Sequence, residues 1–163
     1  MKKISLSLII LLLVSCGMFR SGTQKEFILY GKIKRSQLSE KFPWFETNYN
    51  NYKPNDSTLL ELNTYSKELK VLVVMGTWCD DSKTNVPAFF KIADKTFMEE
   101  SQVEIIGVDR EKKCTRFDLK KYKIERVPTF ILFMKGQQLG SIIENPHESL
   151  EKDMLHIVRV IHR

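Results

Sequence analysis

The sequence predicts an α/β domain in which helices flank a central mixed sheet. Three runs predict strands: 71–75 is continuously apolar, the pattern of a strand that is buried on both faces, and 103–108 and 129–134 are predominantly apolar. Helical periodicity follows the first run and returns at the end of the chain, while a short turn leads from the third run into a hairpin partner at 138–143. Strands joined through helices run parallel and a hairpin runs antiparallel, so the predicted sheet is mixed.

The other elements are predicted in order along the chain. Residues 26–33 are rich in β-forming side chains and predict a first strand, whereas 36–52 is less regular. A turn at 53–57 leads into a helix. The later helices are a long one with an apolar stripe that includes Phe89 and Phe97, a short polar one at 113–122, and an amphipathic one at 148–162.

Length and composition limit the class of protein. The 163 residues suit one domain, and 42% hydrophobic with 28% charged residues is close to the globular average, which excludes wholesale disorder. The net charge of +6 could attract nucleic acid, anionic lipid or an acidic protein. Basic and acidic residues are interspersed, as at 120–126, and no nucleic-acid motif is recognisable, so a solvated face is favoured and no nucleic-acid partner is expected.

The N-terminus has the organisation of a secretory signal. Lys2 and Lys3 precede an unbroken apolar run at 8–14, which is too short for a spanning helix of about 20 residues. The Leu-Val-Ser-Cys sequence that ends at Cys16 resembles the lipobox of bacterial lipoproteins, in which the cysteine is lipidated and becomes the first mature residue. The alternative is an ordinary signal in which Cys16 is incidental.

This resemblance implies a division of the chain into a lipoprotein signal peptide at 1–15, a lipidated cysteine and flexible tether at 16–25, and a globular domain at 26–163. Acyl chains on Cys16 would hold the domain at a membrane surface without spanning the bilayer. We therefore expect a protein of the bacterial cell envelope that is lipid-anchored, faces the periplasm, and is attached to the inner or the outer membrane.

Cys79 lies between the end of a predicted buried strand and the start of a predicted helix. The unpaired amides and the dipole of a helix N-terminus favour an anion, and so raise the fraction of the thiol that is ionised. Asp80 and Asp81 oppose this effect, whereas the hydroxyl of Ser82 is expected to point toward the sulfur and to donate a hydrogen bond to it. The alternative role for a cysteine at a strand end is that of a buried apolar filler.

A wider set of residues indicates a family. Trp78 and Cys79 followed by Ser82, Pro87 within the next helix, and Pro128 in a Val-Pro-Thr-Phe sequence together resemble the thioredoxin family. The resemblance runs from the first strand to the end of the chain and implies a three-layer thioredoxin-like fold. It also implies that Pro128 follows a cis peptide bond beside the active cysteine, where it shapes a groove for the substrate backbone, and that Pro87 kinks the active-site helix.

Two departures from the family pattern change the expected chemistry. Ser82 occupies the place of the second cysteine, and a hydroxyl cannot resolve a mixed disulfide. Val73 occupies the place of a buried acid six residues before the first cysteine. The chain therefore lacks the carboxylate that would take part in proton transfer to a leaving thiol. The resemblance therefore implies a monothiol mechanism of the reductase or isomerase type, in which Cys79 attacks and another thiol resolves.

The sequence does not identify the thiol that resolves the mixed disulfide. Disulfides persist outside the cytoplasm, so Cys79 and Cys114 form a bridge, a catalytic pair or two separate thiols. Cys114 follows a strand that ends on the same side of the sheet as Cys79, which makes it the candidate internal partner. The external candidates are disulfide-containing envelope proteins and low-molecular-weight thiols.

No cofactor is expected. A metal site is not expected either, because His147, His156 and His162 are far from Cys79 in the sequence.

Two rival functions are kept beside thiol–disulfide exchange. One is a redox-inert module that binds peptides or proteins in the groove beside Pro128, and the other is a peroxidase-like or glutathione-dependent transferase activity, since a thioredoxin-like fold hosts several chemistries.

Overall fold

A computed structural model describes residues 27–161, and the predicted α/β architecture is confirmed. Two single 3₁₀ turns, Glu100–Gln102 and Lys120–Tyr122, accompany the regular elements. Within the described residues these elements are β1 (Gly31–Ile33), α1 (Arg35–Lys41), α2 (Pro43–Asn51), α3 (Asp56–Leu62), β2 (Leu69–Met75), α4 (Asp80–Lys95), β3 (Val103–Gly107), β4 (Thr129–Met134), β5 (Gln137–Ile143) and α5 (Leu150–Ile161).

The strands form one mixed sheet in the order β1-β3-β2-β4-β5. β2 and β3 are parallel, and Val73 lies opposite Ile105. The α4 helix makes the crossover between them, while β4 pairs antiparallel with both β2 and β5. Since β2 is central, its carboxyl end carries the following residues to the middle of one edge of the sheet.

The two faces of the sheet have different covers. All five helices contribute buried side chains to the larger hydrophobic cluster, which also contains Val71, Val73 and Met75 of β2. Leu72 and Val74 point to the opposite face and belong to a smaller cluster. This alternation is what a strand with both faces buried requires.

The smaller cluster is covered by residues 110–126, a segment called the strap below. Its half-buried Cys114, Phe117, Tyr122 and Ile124 pack against that cluster. In the strap, the structure has only the 3₁₀ turn Lys120–Tyr122 where the sequence predicted a polar helix at 113–122.

Local hydrogen bonds explain this difference. The carboxylate of Asp109 accepts from the Lys113 amide, and that of Asp118 accepts from the Lys120 amide. Side chains that satisfy nearby amides in this way compete with a regular helix. Lys112 and Lys123 also have positive φ angles, of 59° and 49°, which an α-helix does not accommodate.

The N-terminal part of the domain also differs from the prediction. Residues 36–52, expected to be irregular, form most of α1 and all of α2, and Pro43 occupies the first turn of α2, where its missing N–H is harmless. Only Gly31–Ile33 of the predicted strand at 26–33 pairs in the sheet. Before it, the carbonyl oxygen of Leu29 lies so close to Gly107 that a Cβ on that glycine would be 2.2 Å away.

The predicted signal peptide at 1–15 and tether at 16–25, including Cys16, lie outside the described residues. None of the helices between residues 27 and 161 is long and apolar enough to cross a membrane.

Candidate active site around Cys79

Cys79 is the N-cap of α4, four residues after the end of β2. Its amide donates to the carbonyl of Gly76, which closes a tight turn between the strand and the helix. The side chain is half-buried, and its Sγ lies 3.1 Å from the carbonyl oxygen of Val127, to which the thiol donates. The sulfur is therefore both held in place and open on one side.

Trp78 forms one wall of the site. Its indole Nε1 donates to the carbonyl of Val108 at 3.0 Å, which fixes the ring against the end of β3. The ring also lies against Gly76, where an added Cβ would be 2.5 Å from an indole carbon, so only glycine fits there without displacing it. The Arg110 guanidinium stands 5.1 Å from the ring centroid and makes a cation–π contact.

Pro128 forms the other wall, and the cis Val127–Pro128 bond that the family resemblance implied is confirmed. Both residues are buried. The Pro128 carbonyl accepts from the Glu144 amide at 2.7 Å, and the Arg126 guanidinium pairs with the Glu144 carboxylate at 2.8 Å. Glu144 has a φ of 59°, which a non-glycine residue adopts only where its surroundings hold it.

Ser82 does not act on the sulfur as the sequence suggested. The hydroxyl is fully buried and accepts a hydrogen bond from the Gly76 amide at 3.3 Å, while the Cys79 thiol has the Val127 carbonyl as its partner. No hydrogen bond from the Ser82 hydroxyl to the Cys79 sulfur is present among the described residues. The bond from the Gly76 amide uses the hydroxyl as an acceptor and ties Ser82 to the turn after β2.

The active-site helix runs from Asp80 to Lys95 and contains Pro87, as expected. A proline has no N–H to bond to the carbonyl four residues earlier, which here belongs to Lys83. The Asn48 side-chain amide of α2 donates to that carbonyl at 2.9 Å. The neighbouring helix thus compensates for the hydrogen bond that Pro87 removes.

The acidic residues beside Cys79 have partners. Asp80 is exposed and pairs with Lys83 at 2.7 Å, and this hydrogen bond and charge lower the pKa of the carboxyl below its ordinary value. Asp81 accepts from the Asn145 side-chain amide at 3.2 Å. Neither carboxylate is hydrogen-bonded to the sulfur, so the two serve as first-turn partners of the helix dipole, as predicted.

Sequence reasoning missed Asn85, Glu144 and Asn145, which join α4 to the turn at Pro128. The buried Asn85 side chain donates to the Glu144 carbonyl at 2.9 Å and to the Asn145 side-chain oxygen at 3.0 Å. A polar asparagine on the apolar face of a predicted helix was the available signal, because a buried amide needs partners. No local pattern marks the other two.

Cys114 is free and half-buried, as is Cys79, and both pack against the smaller cluster. Asp109 and Lys113 exchange hydrogen bonds directly after β3, so the chain folds back before Cys114 and stays at the end of the sheet where Trp78 lies. The structure thus places Cys114 on the same face and at the same end of the sheet as Cys79, with no disulfide between them.

Val73 lies in the larger cluster with none of its surface exposed, at the position where the resemblance placed an acid. Between residues 27 and 161 there is no group of three or more His, Cys, Asp or Glu side chains that could hold a metal ion. What the site offers chemically is one sulfur nucleophile at a helix N-terminus, between an indole and a cis-proline turn.

Comparisons with known proteins agree with the fold. A family model described as Thioredoxin matches residues 35–155. The crystal structure of a protein of unknown function from Pseudomonas aeruginosa is similar, with 13% identity, a TM-score of 0.58, and coverage of 80% of this chain and 93% of that chain. An HIV epitope-scaffold is similar at 14% identity and a TM-score of 0.54, over 81% of this chain and 93% of that one. No curated protein matches the chain.

Proposed function

The chain belongs to the thioredoxin family, and we propose that it exchanges thiols and disulfides with Cys79 as its single attacking cysteine. The observation that carries the proposal is the position of that sulfur. It caps α4 at the end of the central strand, half-exposed, with Trp78 on one side and the cis Val127–Pro128 turn on the other.

The proposed reaction begins with the Cys79 thiolate. The thiolate attacks one sulfur of a substrate disulfide, a new bond joins Cys79 to that sulfur, and the second substrate sulfur leaves as a thiolate. The Cys79 proton goes to solvent, and its bond to the Val127 carbonyl is lost.

Resolution of the mixed disulfide needs another thiol, because Ser82 has no sulfur. An outside thiol or a second cysteine of the substrate restores Cys79 without net oxidation of the protein, which suits isomerisation or removal of small thiols. Cys114 is the internal candidate. Its attack on the Cys79 sulfur would release the substrate as a thiolate and leave an internal disulfide, so the substrate would gain two electrons.

The lipoprotein-like N-terminus supports a proposal for where the protein is located in the cell. We propose that lipid on Cys16 anchors the domain to a membrane of the bacterial envelope, with its substrates in the periplasm. The support is the sequence alone, namely the basic start, the apolar run at 8–14 and the Leu-Val-Ser-Cys sequence. Disulfides form and persist in that compartment, which supplies substrates for the chemistry.

The test uses the full chain with Cys16→Ser, so that Cys79 and Cys114 are the remaining thiols. The substrate is a peptide joined by a disulfide to a nitrothiobenzoate group, whose release is followed by its colour and whose peptide adduct is followed by mass. We expect Cys79→Ala to reduce the release to the background of a thiol-free chain, with the melting temperature kept. The matched variant Cys114→Ser keeps the release.

Two other outcomes are informative. If Cys79→Ala reacts as fast as the parent, the exchange proposal is wrong, and retained peptide binding would favour a redox-inert binding module. If the adduct on Cys79 is short-lived in the parent but persists in Cys114→Ser, and the parent contains disulfide-linked Cys79 and Cys114, then Cys114 is the resolving thiol.

A further inference from the structure

The strap concentrates the positive charge of the domain. Residues 110–126 contain eight lysine and arginine residues against three acidic ones, a net charge of +5. The other residues of 27–161 contain thirteen basic and sixteen acidic side chains, a net charge of −3. The basic character of this domain is therefore a local property of one segment.

Both ends of the strap reach the candidate active site. Arg110 stacks on the Trp78 ring at one end, and Arg126 directly precedes the Val127 carbonyl that accepts from Cys79 at the other. Between them the strap packs on the smaller cluster through Phe117 and Ile124. A molecule that approaches Cys79 along this face meets the strap first.

Much of this charge is uncompensated within residues 27–161. Lys112, Lys113, Lys120 and Lys123 make no ion pair there, and these four lysines line one cavity of about 680 Å³. Three of the four are exposed and Lys112 is half-buried. Three acidic side chains, Glu111, Asp118 and Glu125, line the same cavity, so most of the excess positive charge belongs to the strap as a whole, which also carries Arg110, Arg116, Lys121 and Arg126.

Two of the three carboxylates near Cys79 are paired with cations. Asp80 pairs with Lys83 and Glu144 pairs with Arg126 of the strap, whereas Asp81 accepts from the neutral Asn145 side-chain amide. A cluster of exposed charges of one sign attracts molecules of the opposite sign over about 10 Å at 0.1 M salt. With the Arg126–Glu144 pair set aside, the strap still carries seven basic residues against three acidic ones, so a substrate that approaches Cys79 along this face meets an excess of positive charge.

We propose that the substrates of Cys79 are acidic polypeptides, whose Asp and Glu side chains lie on the strap while their disulfide meets the sulfur. This inference rests on the proposed function and names the substrate class of the same site. Nucleic acid and an anionic membrane also fit a basic surface, but neither brings a disulfide to the thiol, and a membrane on the strap would cover the site. The exchange step is the one given above, in which the acidic side chains take no covalent part.

The experiment compares peptides of equal length that carry the same nitrothiobenzoate disulfide and differ only in the residues around it. One peptide is rich in Asp and Glu, one in Lys and Arg, and one is neutral. The protein is the full chain with Cys16→Ser and Cys114→Ser, which leaves Cys79 as the reacting thiol. At low ionic strength we expect the acidic peptide to react about tenfold faster than the basic one, and the ratio to fall toward one at high salt.

A pair of matched variants assigns the effect to the strap. Replacement of Lys112, Lys113, Lys120 and Lys123 by Gln is expected to reduce the tenfold preference to about twofold. The control makes the same change of charge at the opposite end of the sheet by replacing Lys34, Lys67, Lys70 and Lys135 with Gln, and is expected to retain most of the preference.

The outcomes separate the inference from the function on which it rests. Equal rates for the acidic and basic peptides would overturn the substrate class while leaving exchange intact, whereas no reaction with any peptide would overturn the proposed function. If rates do not depend on peptide charge but the strap variant loses sedimentation with vesicles of anionic phospholipid, the strap is a lipid-binding surface and the inference is wrong.

Discussion

The two faces of the sheet differ in what covers them. The larger cluster is sealed by five helices and contains the aromatic side chains of Phe45, Phe89 and Phe130, none of them more than 1% exposed. The smaller cluster is covered by the strap, whose regular structure amounts to one 3₁₀ turn. Cys79, Cys114 and Trp78 all pack on the thinly covered side. The difference indicates that the helical face provides most of the stability, while the strap face carries the residues of the proposed chemistry.

The largest expected effect is the difference in stability between two phenylalanine substitutions, one on each face of the sheet. Phe89 of α4 is fully buried, with ring centroids 5.4 Å from Phe90 and 5.5 Å from Phe130. We expect Phe89→Ala to lower the free energy of unfolding by about 3–5 kcal/mol, because it removes apolar contact and leaves a cavity. Phe117 of the strap is half-buried, and Phe117→Ala is expected to cost roughly 1–1.5 kcal/mol.

Urea unfolding, followed by circular dichroism, measures both changes. Phe117→Ala is also expected to alter the exchange rate of Cys79 more than Phe89→Ala does, in the temperature range where both variants are folded. Equal losses of stability would contradict the division and make the strap a structural layer comparable to the helices.

A smaller effect is expected at a buried carboxylate on the helical face. Glu151 of α5 accepts from the Tyr52 hydroxyl at 2.6 Å and from the Asn55 amide at 3.0 Å. Burial alone would raise the pKa of Glu151, but these hydrogen bonds outweigh burial and lower it below its ordinary value. Burial, together with the hydrogen bond to Glu151, raises the pKa of Tyr52 above its ordinary value. Glu151 thereby ties α5 to the segment between α2 and α3.

The lowered pKa fixes the sign of the pH dependence. The ionised carboxylate stabilises the fold at neutral pH, and this contribution is lost as the pH falls from about 5 through the folded-state pKa. We expect Glu151→Gln to cost about 1–2 kcal/mol at pH 7 and less at pH 3. The control Glu148→Gln alters an exposed pair with Lys152 and is expected to change nothing measurable. If Glu151→Gln lowers the free energy of unfolding by the same amount at pH 7 and at pH 3, the charge of Glu151 is not involved.

The sequence was most informative where the signal is local and periodic. The apolar runs of β2, β3 and β4 predicted central strands, and the family resemblance carried by the residues around Cys79 and Pro128 implied the cis bond that the structure has beside the sulfur. The helix predicted at 113–122 was wrong. Asp109 and Asp118 bond to nearby backbone amides, and the segment forms an irregular strap in place of a helix. The partners of Asn85 could not be predicted, since they depend on a turn about 60 residues away.

The smallest expected effect concerns Ser82, for which sequence and structure give opposite predictions. The sequence suggested a bond from its hydroxyl to the Cys79 sulfur, whereas the structure pairs the hydroxyl with the Gly76 amide. We expect Ser82→Ala to cost about 1 kcal/mol, because a buried amide loses its acceptor, and to leave the rate of Cys79 alkylation within about twofold across pH 6–9.

The matched control is Thr84→Ala, which removes an exposed hydroxyl from the same part of α4. If Ser82→Ala slows alkylation tenfold while Thr84→Ala does not, the hydroxyl donates to the thiolate after all, while its oxygen continues to accept from the Gly76 amide. An unchanged rate would mean that Ser82 stabilises the turn after β2 and does not support the Cys79 thiolate.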